Sequence, residues 1–281
     1  ISRILNQNSK FKNFVPSSVR GIQNSSLPLI GTFHSIGLRI LRRDIHYLGY
    51  RNSFTIFDKD DQISLVKRIM AELELDTKKF NPNAILSRIS RLKTDSVEPN
   101  KAPSEEFFEK IVSNVYNHYQ NELKRLNPVD FDDLIVLCVK LFRNDPKLLA
   151  KYQSLWQYLL VDEYQDTSRD QNEFVSLLAE AKRNLFCIGD DAQSIYEFRR
   201  ADIRNILNFQ KDYPEAKIVM LEQNYRSTKN IITAAGNLIS HNKNQMPKEL
   251  WTDNKDGEKI LVKELLNERQ EARFVASTIR E

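Results

Sequence analysis

Three short apolar runs, WQYLLV (156–161), NLFCIG (184–189) and KIVML (217–221), are spaced so that each pair leaves room for one helix. This pitch constrains the fold more than any other feature of the chain. An apolar run of this length without polar alternation reads as a strand buried on both faces. Between the first two runs, Ser168–Arg169–Asp170–Gln171 has capping-box spacing and opens a helix with Phe174, Val175, Leu177 and Leu178 inward. Between the last two, Ala201 to Asp212 repeats the pattern and stops before Pro214. Strand–helix–strand–helix–strand predicts an α/β fold with a parallel sheet and right-handed crossovers. LPLIG (27–31) is expected as a fourth strand and KILVKEL (259–265) as a short one.

Residues 58–126 follow a different rule. DKDDQISLVKRIMAELEL, NPNAILSRISRLK and SEEFFEKIVSNVYNHYQNELKRL carry helical periodicity, are separated by proline and polar breaks, and have no strand between them. The expected organisation is one parallel α/β domain over 1–57 and 127–221, interrupted by an all-helical subdomain at 58–126. A further helical stretch, VDFDDLIVLCVKLF, leads back toward the sheet, and helices are expected after Ser227 and over ERQEARFVASTIRE.

Composition narrows the function classes. Hydrophobic residues make up 41% and charged residues 28% of 281, which suits a globular chain, and no apolar run approaches the length of a membrane span. Cys138 and Cys187 both sit inside apolar runs, so they read as reduced core thiols of a cytoplasmic protein. No Cys/His cluster has zinc-ligand spacing. Residues 1–55 hold eight Lys or Arg against one acid, Asp44, a local excess of +7 in a chain of net charge +4. A basic front section of this kind suits a polyanionic partner, and equally a solvated face.

Chemistry belongs just beyond the carboxyl ends of parallel strands. The first run of the sheet ends in Asp162–Glu163, the arrangement in which one acid holds a hydrated Mg²⁺ on nucleotide phosphates and its neighbour activates water. Taken alone, a capping acid or a solvated loop explains the pair as well. The second run ends in Gly189–Asp190–Asp191 with Gln193 soon after, and the third in Gln223, Asn224, Tyr225 and Arg226. An amide able to touch a γ-phosphate, an arginine for developing phosphoryl charge and an aromatic for a base complete the inventory of a nucleoside triphosphatase. A two-metal nuclease built on Asp162, Asp166, Asp190 and Asp191 is the rival enzyme. A non-catalytic nucleic-acid-binding module is the third reading.

GTFHSIGLRILRRD, DFDDL, VDEYQDT, IGDDAQSIYEFRRAD and LEQNYRST, in that order, resemble the consecutive motifs of the UvrD/PcrA/Rep family of superfamily 1 DNA helicases. The resemblance implies a RecA-like motor domain with a helical insertion and, over 222–281, the start of a second motor domain. It implies ATP and Mg²⁺ as cofactors, and single-stranded DNA and duplex junctions as partners, in DNA repair or replication. Asp162 would be the Mg²⁺-linked acid, Glu163 the base, Gln193 the γ-phosphate sensor, Arg226 an arginine finger and Tyr225 a stacking face for adenine. Thr32, Phe33 and His34 match the motif that lies on single-stranded DNA. Tyr196, Phe198 and Arg199 match the segment coupling nucleotide to base stacking. Gln165 and Asp166 are expected to shape the loop between the two. A helicase fused to a nuclease module would share all of these motifs.

Two positions depart from the family pattern, which commonly has Trp at Phe198 and Gly at Arg200. The phosphate-cradling Gly-x-x-x-x-Gly-Lys-[Ser/Thr] is absent, since none of the seven glycines precedes a lysine. The family places that loop upstream of the stretch seen here, so the chain is expected to be an internal piece and inactive alone.

Overall fold

In this computed structural model, residues 28–243 and 245–280 are described. They fall into two units that divide between Pro146 and Lys147, and each is taken separately.

In the first unit, helix α1 (Phe33–Asp44) is followed by strand β1 (Thr55–Ile56). The chain then makes three helices, α2 (Lys59–Glu72), α3 (Pro82–Thr94) and α4 (Phe107–Leu126), and returns in strand β2 (Pro128–Val129). β1 and β2 pair in parallel, Thr55 with Pro128 and Ile56 with Val129, and Phe57 donates to the Val129 carbonyl. The helical stretch therefore begins and ends at two paired strands. Its helices start where local chemistry dictates. Asp58 and Asp61 form a reciprocal capping box at α2, and Asn81 caps α3 with Pro82 in the first turn. Leu65, Val66, Ile69, Ile85, Ile89, Val112, Val115 and Tyr119 close a common core between the three helices.

Helix α5 (Asp133–Asn144) packs on α1, and Gly37 makes the approach feasible: a Cβ there would stand 2.2 Å from the Leu134 carbonyl oxygen. The DFDDL segment anchors this region to the helical stretch. The Lys93 ammonium at the end of α3 lies 2.6 Å from both Asp130 Oδ2 and Asp133 Oδ1, and Tyr119 donates to Asp130 at 3.0 Å. Burial works against the Lys93 charge, but Asp130, Asp133 and Asp132 outweigh it and raise its pKa. Burial, then Asp130, pushes the Asp133 carboxyl up to about 7.

In the second unit, α6 (Pro146–Leu155) leads into β3 (Leu159–Val161), followed by α7 (Arg169–Ala179) and β4 (Leu185–Cys187). β3 and β4 are parallel, with Leu159, Leu160 and Val161 opposite Leu185, Phe186 and Cys187. This is the strand–helix–strand unit that the sequence pitch predicts, and the expected capping box at Ser168 and Gln171 opens α7. The Ala201–Asp212 segment is two short helices, α8 (Arg204–Leu207) and α9 (Phe209–Asp212), rather than one. Helices α10 (Lys229–Ile239) and α11 (Glu268–Arg280) follow.

Three expected strands are not strands. Residues 28–31, 217–221 and 259–265 pair with no segment among the described residues, and Ile30, Val219, Leu221, Leu261 and Val262 are exposed. An apolar run supplies side chains, but a strand exists only through hydrogen bonds to a neighbour. Leu27 and the basic residues Arg3, Lys10, Lys12 and Arg20 lie outside the described residues. Cys138 is buried and Cys187 half-buried, both as free thiols, and burial pushes the Cys187 thiol up to about 12. Among the described residues no helix is long and apolar enough to cross a membrane.

Candidate functional site

Asp162 and Glu163 follow β3 directly and are both exposed. The ladder continues past the strand, since Ile188 donates to the Val161 carbonyl and Tyr164 to that of Ile188. Glu163 sits in the left-handed region at φ 51°, a conformation that costs a non-glycine residue about 1–3 kcal/mol and commonly marks a functional position. The turn points its neighbours in opposite senses. Tyr164 and Gln165 are buried, whereas the Asp162 carboxylate stays at the surface with Oδ1 accepting from the Glu163 amide at 3.1 Å.

The buried Gln165 side chain joins the two strand ends. Its Nε2 donates to Glu163 Oε2 at 2.8 Å, and its Oε1 accepts from the Asp190 amide at 3.0 Å. Gly189 leaves room for this, because a Cβ there would lie 2.8 Å from Gln165 Oε1 and 2.7 Å from Ile206 Cδ1. Asp190 in turn accepts from the Gln193 carboxamide at 2.7 Å and from the Ala192 amide at 3.0 Å. A continuous chain of hydrogen bonds thus runs Glu163–Gln165–Asp190–Gln193. Asp166, beside it, has its carboxyl pushed up, first by burial and then by the Glu163 charge.

Tyr196, Phe198 and Arg199 lie on the turn after Gln193. The rings of Tyr196 and Phe198 are 5.9 Å apart, and the Arg199 guanidinium lies 5.0 and 5.5 Å from their centroids. Phe198 is 77% exposed, with its ring free to accept a flat partner. Arg200 takes φ 72° at the end of this turn, the left-handed conformation that glycine adopts without cost.

Tyr225 is 79% exposed, and its hydroxyl donates to Gln223 Oε1 at 2.5 Å. Asn224 Oδ1 accepts from the amides of Arg226 and Ser227, and Asn254 Nδ2 donates to the carbonyls of Tyr225 and Ser227. Arg226 is exposed. No direct contact joins it to Glu163 or Gln193.

In the first unit, Thr32 caps α1, its Oγ1 accepting from the Ser35 amide at 3.2 Å. His34 stacks on Phe131 with centroids 4.1 Å apart, which joins the TFHS and DFDDL segments in one aromatic ledge. Burial lowers the His34 pKa. Phe33 is half-buried beside it.

Among the described residues no three His, Cys, Asp or Glu side chains converge as a metal-binding group. Asp190 and Asp191 are engaged instead by Lys248, a residue the sequence reading did not single out. Nothing local marks it, because the contact spans 57 residues or more.

Comparison with known proteins agrees with the motif order. Residues 2–214 match the family model described as the UvrD/REP helicase N-terminal domain, and residues 219–281 match the UvrD-like helicase C-terminal domain. The ATP-dependent DNA helicase PcrA of Leuconostoc citreum is 47% identical over 254 residues, covering 90% of this chain and 34% of that protein. The ATP-dependent DNA helicase PcrA of Bacillus subtilis (strain 168) is 48% identical over 252 residues, covering 89% of this chain and 34% of that protein. The chain thus spans about a third of the length of these relatives. Motif order, strand-end geometry and family match agree: the chain belongs to the UvrD/REP helicase family.

Proposed function

We propose that this chain is the central part of an ATP-driven motor that moves 3′ to 5′ along single-stranded DNA and opens duplex at junctions. In this reading residues 1–57 and 127–221 belong to the first motor domain, 58–126 form its helical insertion, and 222–281 begin the second motor domain. The observation that carries it is the hydrogen-bonded chain from Glu163 through Gln165 and Asp190 to Gln193. It ties the base to the phosphate-sensing amide across two parallel strand ends, where a fixed relative geometry matters most to phosphoryl transfer.

Glu163 orients and deprotonates the attacking water, Gln193 touches the γ-phosphate, Arg226 meets its developing charge, and Tyr225 offers a stacking face to adenine. Thr32, Phe33 and His34, with Tyr196, Phe198 and Arg199, contact the DNA strand. Asp162 fits a Mg²⁺ site, since this ion takes one or two protein carboxylates and fills its remaining positions with water and phosphate oxygens. The Asp162 carboxylate is exposed and steadied by one backbone hydrogen bond. When bound, Mg²⁺ would neutralise charge on the nucleotide phosphates.

The test uses the full-length protein on partial duplexes with a single-stranded tail at either end, with ATP and Mg²⁺. Unwinding of the 3′-tailed substrate alone is expected. Unwinding of the 5′-tailed substrate alone overturns the direction, and Mg²⁺-dependent strand cleavage without ATP favours the nuclease.

A further inference from the structure

Lys248 lies in a stretch, residues 245–254, to which neither motif nor composition assigns a task. Its ammonium bonds the Asp190 carboxylate and reaches Asp191 Oδ1 at 3.2 Å, while the Met246 amide donates to Asp191 Oδ2 at 2.5 Å. The side chains of Lys248 and Asp191 are only 13% and 5% exposed, so this is not a screened surface pair. Three to six residues on, the same stretch grips the arginine-bearing loop. Trp251 donates to the Glu222 carbonyl and accepts from the Asn224 amide, Asp253 accepts from Gln223, and Asn254 holds the carbonyls of Tyr225 and Ser227.

We propose that Lys248 is a positioning residue whose ammonium, by clamping Asp190 and Asp191, fixes the Gln193 amide and links it through the 245–254 strap to the Tyr225–Arg226 loop. This rests on the roles proposed above for Gln193 and Arg226. The physics is local. Asp190 and Asp191 are adjacent carboxylates, one of them buried, and each repels the other's charge. Burial acts to raise the Asp190 pKa, yet hydrogen bonds from Lys248 and Gln193 outweigh it and hold the carboxyl below its ordinary range. Without the ammonium, the pair keeps its repulsion and its desolvation penalty, and Asp190 is driven toward solvent. Gln193 then loses the acceptor that orients its amide, while its own chemistry is untouched. The strap thus bonds both the Asp190–Asp191 pair and the loop that bears Arg226.

The experiment compares Lys248→Ala, Lys248→Arg and Glu163→Gln in the full-length protein. It measures kcat and KM for ATP at saturating single-stranded DNA, with melting temperature as a control. Lys248→Ala should lower kcat by about 10- to 100-fold, the range for misplacing a catalytic group by about an ångström. KM for ATP should change less than threefold, since Tyr225 is untouched, and Lys248→Arg should recover most of kcat. If Glu163→Gln abolishes turnover but Lys248→Ala leaves kcat intact, the clamp is overturned and the site reading stands. If Glu163→Gln itself has no effect, the site reading falls first. A kcat loss in Lys248→Ala with a matching fall in melting temperature and no recovery in Lys248→Arg marks a packing role and also overturns the proposal.

Discussion

Glu163 carries the sharpest chemical expectation at the scale of single residues. Its carboxylate, held by Gln165 at a strained backbone position, is the group proposed to take a proton from water. Glu163→Gln keeps shape and hydrogen-bonding capacity but removes the basic site. In the full-length protein it should lower ATP turnover by about 10²–10⁴-fold while leaving nucleotide binding in place. Asp162→Ala should instead weaken the Mg²⁺-dependent part of nucleotide binding, read by titrating a fluorescent nucleotide with and without the ion. Equal, mild effects from both variants contradict the division of roles. Arg200 is a different kind of residue-scale problem. At φ 72° its side chain strains a turn that glycine would make freely. Arg200→Gly should therefore raise stability by up to about 1 kcal/mol in urea unfolding, the greater freedom of the unfolded chain offsetting part of the relief. Arg200→Ala should bring no such gain, and equal effects from the two would show that the backbone there is unstrained.

Between elements, the contact with most at stake is the Lys93 cluster that joins α3 to the start of α5. One buried ammonium faces Asp130 and Asp133 at 2.6 Å each. Lys93→Met leaves two buried carboxylates without their cation and should cost about 3–5 kcal/mol of stability. The pH sign follows from the raised Lys93 pKa. Its stabilisation is complete below the ordinary value of 10.5 and is lost as pH climbs beyond it toward the folded value. The gap between wild type and Lys93→Met should therefore be widest near pH 8 and narrow by pH 11 in urea melts. A gap equal at both pH values assigns the loss to packing instead of charge. The turn bearing Tyr196, Phe198 and Arg199 is a functional element by contrast, exposing one ring with a guanidinium beside it. Phe198→Ala should weaken single-strand binding by about 1–3 kcal/mol, measured by fluorescence anisotropy. An unchanged affinity removes the turn from the DNA track.

For the whole molecule, the 281-residue chain by itself should bind ATP no tighter than about millimolar. Adenine stacking on Tyr225 alone is worth about 1–3 kcal/mol, and no glycine–lysine loop is present in its sequence to hold the phosphates. Calorimetric titration and a DNA-stimulated phosphate-release assay measure this, and micromolar binding would mean that other residues supply the cradle. Much of the architecture is written locally. The helices within residues 58–126 follow from their periodicity, Asp58, Asn81 and Ser168 mark helix starts, and WQYLLV and NLFCIG place two paired strands with Asp162 and Glu163 just past the end of one. These features depend on neighbours within a turn or two of the chain, so order along the sequence is enough to reveal them. LPLIG and KIVML look the same on paper, yet residues 28–31 and 217–221 form no strand here, because strand pairing is a property of two segments and not of one. The contacts that Gln165 and Lys248 make with Asp190 were out of reach for the same reason. Gln165 meets Asp190 across 25 residues and Lys248 meets it across 58. The sequence by itself determined which residues are available for chemistry and in what order. The tertiary structure alone decided which carboxylate faces which amide or ammonium, because a hydrogen bond of about 3 Å requires distant chain segments to be packed into place before it can form.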